Sequence, residues 1–213
     1  MHRTQHGLLG RWWRGTNKNK GAHVAKSKRM AQVEWLAIGD IPGTLVTRPV
    51  HQIVLDWHGV VGDSHAGATR KADVRIPHYR RGSVVRNERQ VTVVAPDQLA
   101  EVATRLNLPE IRPEWLGANM MLTGVPHLTL LPPATRLIFA SGAALVVDWE
   151  NQPCTGPGRV IATQYGDESL TSRFVKAAKQ RRGFTAWVER TGVIAVGDAV
   201  EVVMPPQAAY PGW

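Results

Sequence analysis

The strongest constraint on this chain is the pattern that begins at Met30, where short β-branched runs are interrupted again and again by Gly, Pro and Asp. Runs of this kind read as strands and their interruptions as turns. Strand candidates fall at 33–38, 51–57, 90–94, 116–122, 135–140, 143–149, 186–190 and 199–203, with Thr191-Gly192 and Gly197-Asp198 as turn signals near the end. Only two stretches carry a helical period. Pro96-Asp97 opens one that runs to Leu106, with Leu99, Val102, Ala103 and Leu106 on one face and Asn107 closing it. The other is predicted over 169–182, with Leu170, Phe174, Val175 and Ala178 as its buried face, basic residues in its last turn and Gly183 as its C-cap. No segment repeats at a fixed period, which excludes solenoids and propellers. The expected fold is mainly β with a few helices (α+β), its strands closed into a β-barrel, because closure removes exposed edges.

A chain of 213 residues with 43% hydrophobic content holds one sizeable core and is too short for two. The formal charge of +9 invites a nucleic-acid reading, so the location of the charge matters. Residues 1–29 carry eight Lys or Arg and no acid, which leaves 18 basic against 17 acidic residues for the rest. The expected organisation is therefore a basic extension over 1–29, too poor in apolar residues to order itself, followed by a single domain over 30–213. Met30 directly precedes the first strand candidate, so the tail reads as an upstream extension or a misassigned start. The competing reading is a basic arm that touches nucleic acid or an acidic partner. The chain has no apolar run long enough for a membrane span and no secretory signal at its N-terminus, so neither membrane nor export is expected.

Cys154 is the only cysteine, which excludes an internal disulfide and a four-cysteine zinc site and fits a reducing cytoplasm. It sits in Asn151-Gln152-Pro153-Cys154-Thr155-Gly156-Pro157-Gly158, directly after an apolar run, where a strand leaves the core for what reads as a stiff turn. A reactive thiol needs partial access together with donors or positive charge. Residue type and position leave the reactive reading and that of a buried structural cysteine equally open.

Residues 64–89 form a long polar stretch without periodicity, the kind of segment that is more often functional than idle. It holds Arg70-Lys71, Arg75, His78, Arg80-Arg81, Arg86 and Arg89. Guanidinium forks suit phosphate, although a solvated charge run would read the same way. Asp63 and His65, with His58 and His78 nearby, offer a metal or acid/base alternative, and Cys154 with His65 as base offers a hydrolase. The chain contains neither a Walker loop nor a dinucleotide-binding glycine fingerprint.

Taken in order, Gly59-Val60-Val61-Gly62-Asp63-Ser64-His65, Leu116-Gly117-Ala118-Asn119 and Asn151-Gln152-Pro153-Cys154 resemble MOSC domains, the module named after the C-terminal part of molybdenum cofactor sulfurases. Ser141-Gly142-Ala143-Ala144 and Gly197-Asp198 extend the resemblance over roughly 33–204, as in small bacterial single-domain members. The resemblance implies a barrel of the kind found in the small β-barrel domain of pyruvate kinase. It also implies the molybdenum cofactor, a pterin with a dithiolene and a phosphate, as ligand. Cys154 would then be a molybdenum ligand or a sulfur-carrying thiol. Asp63, His65, Asn119 and Asn151 would line the pocket, and Arg81, Arg86 and Arg89 would neutralise phosphate. Two uses follow from the family: sulfur delivery in cofactor maturation, or reduction of N-hydroxylated compounds. The sequence shows neither the pyridoxal phosphate domain that extracts sulfur in fused sulfurases nor a ferredoxin-like or flavin module. The implied partners are accordingly a sulfur donor such as a cysteine desulfurase, or an electron-transfer protein, together with a small-molecule substrate. The rival reading is a non-catalytic module that binds a pterin or another phosphorylated small molecule.

Overall fold

The computed structural model describes residues 28–207. In chain order its elements are β1 (Lys28–Ile38), β2 (Arg48–Val50), β3 (Gln52–Asp56), β4 (Gly59–Val60), β5 (Thr69–Lys71), β6 (Val84–Arg86), β7 (Val91–Val94), α1 (Pro96–Leu106), β8 (Met120–Thr123), β9 (Arg136–Phe139), β10 (Ala144–Glu150), α2 (Thr155–Tyr165), α3 (Leu170–Ala177), β11 (Phe184–Arg190), β12 (Gly192–Ala195) and β13 (Ala199–Val203). Strands β13, β9, β10, β11, β7, β8 and β1 are hydrogen-bonded in that order, and β1 pairs back onto β13, so seven strands close into the expected barrel. Closure runs from Lys28↔Val203 to Gln32↔Ala199 and leaves no open edge in the ring. Strand β2 extends β1 outside the ring, β12-β3-β4 form a small second sheet, and β5 and β6 pair as a hairpin.

Alternation along the strands fills the barrel. Val33, Val93, Leu122, Leu145, Phe184 and Val202 are among the buried side chains of its core. A second core lies between the barrel wall and the helices, where Leu99, Val102, Leu106, Ile161, Leu170 and Phe174 pack with Val94. Strand β7 serves both, with Val91 and Val93 in the barrel and Val94 under the helices, which is why all four of its residues are buried. Strands β7 and β8 pair in parallel, and α1 supplies the crossover that a parallel pair needs.

Helix α1 has the bounds read from the sequence: Pro96 stands in its first turn, and Asn107 caps it in the left-handed conformation at φ 57°. Elsewhere the structure corrects the expectation. Thr155-Gly156-Pro157-Gly158 is the first turn of α2, where sequence composition predicted a loop. Proline is tolerated there because the N–H groups of a first turn have no partner in the helix. Gly158 is the place where α2 meets α3, since a Cβ on it would overlap the carbonyl oxygen of Thr171. The helix predicted over 169–182 is the shorter α3, and Gly183 does not cap it. Gly183 lies instead at φ +78° against the carbonyl of Val93, too close for any side chain. The 64–89 segment contains the β5–β6 hairpin, the strand expected over 116–122 divides into a 3-10 turn at Pro113–Leu116 and β8, and β12 had no separate signal. Strand β1 already begins at Lys28, so Lys28 and Arg29 are paired residues of the barrel. The rest of the expected basic extension lies outside the described residues. Among these, no helix is long and apolar enough to cross a membrane.

Since Gly158 sets the distance between α2 and α3, Gly158→Ala is expected to cost about 1–3 kcal/mol of stability through overpacking. Thermal denaturation checks this: an unchanged Tm would mean that the two helices are not held at that distance.

Candidate anion and thiol site

The site is built on a buried carboxylate. Asp63 follows β4 through a turn closed by its own N–H on the Val60 carbonyl, 3.0 Å away, and this puts its side chain at the end of the barrel with no exposed surface. Oδ2 accepts from the Gly39 N–H at 2.6 Å and from Asn119 Nδ2 at 2.7 Å. Oδ1 accepts from the His65 backbone N–H at 2.7 Å and from His65 Nδ1 at 2.9 Å. Burial alone disfavours the charge, but the bonds from His65 and Gly39 outweigh it and hold the carboxyl below its ordinary value of 3.8. An ionised carboxylate only accepts, so the His65 proton belongs on Nδ1 and Nε2 is the free nitrogen of a half-exposed ring. Asn119 is fixed in turn, because its Oδ1 accepts from the Thr92 N–H of β7 at 3.0 Å.

The network continues outward. Asn87 donates to the His65 carbonyl at 2.9 Å and accepts the Arg89 N–H at 3.1 Å. The Arg89 guanidinium donates to Asn151 Oδ1 at 2.8 Å and to Thr185 Oγ1 at 3.1 Å. Both acceptors are neutral, and burial, followed by the nearby Arg75, pulls Arg89 down to about 10. Arg182 is only 7% exposed. Its Nη2 donates to the Leu116 carbonyl at 2.8 Å, while Nε and Nη1 are buried with no partner among the described residues. Burial pulls it too down to about 10, and the neighbouring Cys154, when ionised, acts in the opposite direction. Cys154 is exposed and occupies the N-cap of α2 in extended conformation, with its side chain not engaged in a cap bond and no acid in the first turn. The thiol therefore stands at the positive end of a helix beside a buried cation.

These groups surround a cavity of about 480 Å³. Of the residues singled out from sequence, His65, Arg70, Lys71, Arg75, Arg89, Asn151 and Cys154 line it. Asp63 and Asn119 stand behind its wall as buried supports. Arg81 and Arg86 do not reach it. Arg81 is exposed at the turn of the β5–β6 excursion, and Arg86 stacks 4.5 Å from the centre of the Trp187 ring. Arg86 borders a second cavity of about 650 Å³ together with Tyr79, Asp148 and Trp149. His78, which packs 4.6 Å from Tyr79, also lies there, and His58 faces Asp56 at 3.8 Å. Among the described residues no three His, Cys, Asp or Glu side chains group as metal ligands, so the metal alternative built on Asp63 and the histidines does not assemble. Sequence reasoning missed Arg182, which reads as one of the basic residues in the last turn of the helix predicted over 169–182. The available signal was its position directly before Gly183 and the apolar run at 184–188.

The closed seven-stranded barrel sets the class of fold to which the chain belongs. The sequence profile of the MOSC domain matches residues 64–201, and the chain belongs to that family. The YuaD protein of Bacillus subtilis (strain 168), described as a putative metal-sulfur cluster biosynthesis protein, is 39% identical over 192 residues, which span 90% of this chain and 92% of the relative. Its crystal structure superimposes with a TM-score of 0.82 at 40% identity, over 85% of this chain and all of that one. YiiM from Geobacillus stearothermophilus, at 15% identity and a TM-score of 0.54 over 82% of this chain and 75% of that one, shares the fold.

The depressed Asp63 value makes stability depend on pH with a defined sign. Its contribution is fully present above about 3.8, the unfolded value, and is lost as pH falls through the lower folded value. Asp63→Asn is expected to lower stability at neutral pH by about 1–3 kcal/mol, because the amide NH2 replaces an oxygen that accepts from two donors. Melting curves across acid pH should show the gap to the native chain closing below about 3.8. A gap that stays constant would sink the argument.

Proposed function

We propose that the first cavity binds the molybdenum cofactor and that Cys154 acts there as molybdenum ligand or sulfur carrier. The observation that carries this reading is the pair of orphaned, buried N–H groups of Arg182 beside the exposed thiol. A buried guanidinium with open donors calls for an anion, and the pterin phosphate supplies one. The volume of about 480 Å³ falls within the roughly 300–1,000 Å³ common for small-molecule sites. A soft thiolate matches a metal already coordinated by dithiolene sulfur.

Within this reading Arg182 and Arg89 hold the phosphate, Asn151 and Thr185 orient Arg89, and Asp63 keeps His65 aimed with Nε2 free. When bound, the cofactor supplies a metal that takes up or gives up an oxygen or sulfur atom. Sulfur delivery and reduction of N-hydroxylated compounds both remain uses of that chemistry, and the description of the Bacillus subtilis relative as a putative metal-sulfur cluster biosynthesis protein favours the first. The partner is then a sulfur donor such as a cysteine desulfurase, with an electron-transfer protein in the reductive case. A lone accessible thiol is best kept reduced in the cytoplasm.

The test is metal analysis, with fluorescence of the oxidised pterin released from protein made in a cofactor-competent host. Molybdenum and pterin are expected in the native chain, and Cys154→Ser is expected to retain the pterin while losing molybdenum or transferable sulfur. Unchanged molybdenum retention and unchanged molybdoenzyme maturation in cells carrying Cys154→Ser would leave the non-catalytic phosphoanion-binding module as the reading. A native chain free of pterin would overturn both the cofactor and the roles assigned to its phosphate.

A further inference from the structure

The cavity around Cys154 has an electrostatic character that a thiol needs only when its reaction partner is itself highly charged. Arg70, Lys71, Arg75, Arg89 and Arg182 line it, against the single carboxylate of Asp73. That carboxylate is already paired with Arg75 at 2.6 Å and Arg70 at 3.4 Å. Arg182 keeps two open donors, Arg89 spends its guanidinium bonds on neutral acceptors, and the first-turn N–H groups of α2 have no partner within the helix. Arg182, Arg89 and the first turn of α2 border the same cavity as Cys154. A neutral sulfur donor would leave these cations unused.

From the exposed Cys154 thiol at the α2 N-terminus and the open, buried Arg182 donors beside it, we propose that the protein takes sulfur directly from a small sulfane-sulfur oxyanion of the thiosulfate type. The proposal rests on the sulfur-carrying reading of Cys154 above, and it gives that reading a donor that needs no protein partner. In the step, the Cys154 thiolate attacks the outer sulfur of thiosulfate and a sulfur–sulfur bond forms at Sγ. The bond from that sulfur to the sulfonate breaks, and its electron pair leaves on sulfite. Three negative charges enter, as thiolate and thiosulfate dianion, and three leave, as persulfide anion and sulfite dianion. No oxidant or reductant is required. Arg182, Arg89 and the helix terminus hold the sulfonate oxygens as negative charge grows on the leaving sulfite. An acceptor thiolate or cyanide then removes the outer sulfur and restores Cys154.

The full chain, as purified, is incubated with thiosulfate and read by intact mass, and thiocyanate is followed after cyanide is added. Cys154 is expected to gain the mass of one sulfur atom and thiocyanate to form catalytically, with both signals absent in Cys154→Ser. Arg182→Gln is expected to raise the KM for thiosulfate by about 10-fold or more, as loss of a charge-assisted bond implies, and to leave the KM for cyanide unchanged. Arg89→Gln gives the same reading if the first variant does not fold, and Arg136→Gln, on the far Glu189 pair, should behave as the native chain. Failure of thiosulfate to load Cys154, or equal loading by the arginine variants, overturns the proposal, as does loading by an uncharged organic trisulfide alone. The outcome is separable from the cofactor test: sulfur loading without pterin removes the cofactor reading and keeps this one, and pterin binding without loading does the reverse.

Discussion

The arrangement depends on one buried carboxylate. Among the described residues Asp63 pairs with no arginine or lysine, and its charge is held by donors from Gly39, His65 and Asn119. Those donors lie just past the end of β1, in the loop after β4 and just before β8, so one side chain ties together segments that approach the barrel end from different directions. A buried charge satisfied this fully stabilises its surroundings, and removing any one donor exposes the desolvation cost of the rest. From Asp63 the hydrogen bonds run through His65 to Asn87, on to Arg89, and then to Asn151, three residues before the thiol. The cationic wall of the cavity is thereby anchored to the end of the barrel and does not hang on a free loop.

A second constraint is steric, and it positions the sulfur. Helix α2 lies against α3 at Gly158, and the turn after α3 passes against β7 at Gly183, both closer than any side chain allows. Cys154 caps the first of these helices, and Arg182 directly precedes the second glycine. Two contacts made by missing side chains therefore bring the thiol and the guanidinium to one cavity. Neither contact is electrostatic, which is why the cation can be left with open donors while the fold itself stays closed.

What the sequence revealed follows from the range over which each determinant acts. Helix α1 was legible to the residue because its start, period and cap are local: Pro96, the Leu99-Val102-Ala103-Leu106 face and left-handed Asn107. Helix α2 was illegible because Gly156, Pro157 and Gly158 have poor helix propensity, and only the packing against Thr171 explains a helix there. Barrel closure was legible as a class, from strand count and the need to hide edges. Its register, Lys28↔Val203, joins the two ends of the described chain and leaves no local trace. Within the site, Cys154 was conspicuous as the sole cysteine, and Asp63 and His65 were singled out through the motifs that resemble MOSC domains. The arginines did not, since Arg86 and Arg89 are three residues apart in the same basic stretch, yet one stacks on Trp187 outside and the other lines the cavity. Only the path of the chain after β6 separates them.

The same geometry bears on what kind of chemistry a lone thiol can do here. A hydrolytic cysteine depends on a base that takes its proton, and among the described residues no hydrogen bond joins His65 to Cys154, whereas one fixes His65 to Asp63. The positive features around the sulfur are instead permanent: a guanidinium held from below by the Leu116 carbonyl, and the terminus of α2. Fixed positive charge stabilises an anion on sulfur and an anion departing from it, whichever way protons move. That favours sulfur or metal ligation over acyl transfer. Burying Arg182 with unpartnered donors costs folding free energy, a cost that the anion proposed for this cavity would offset.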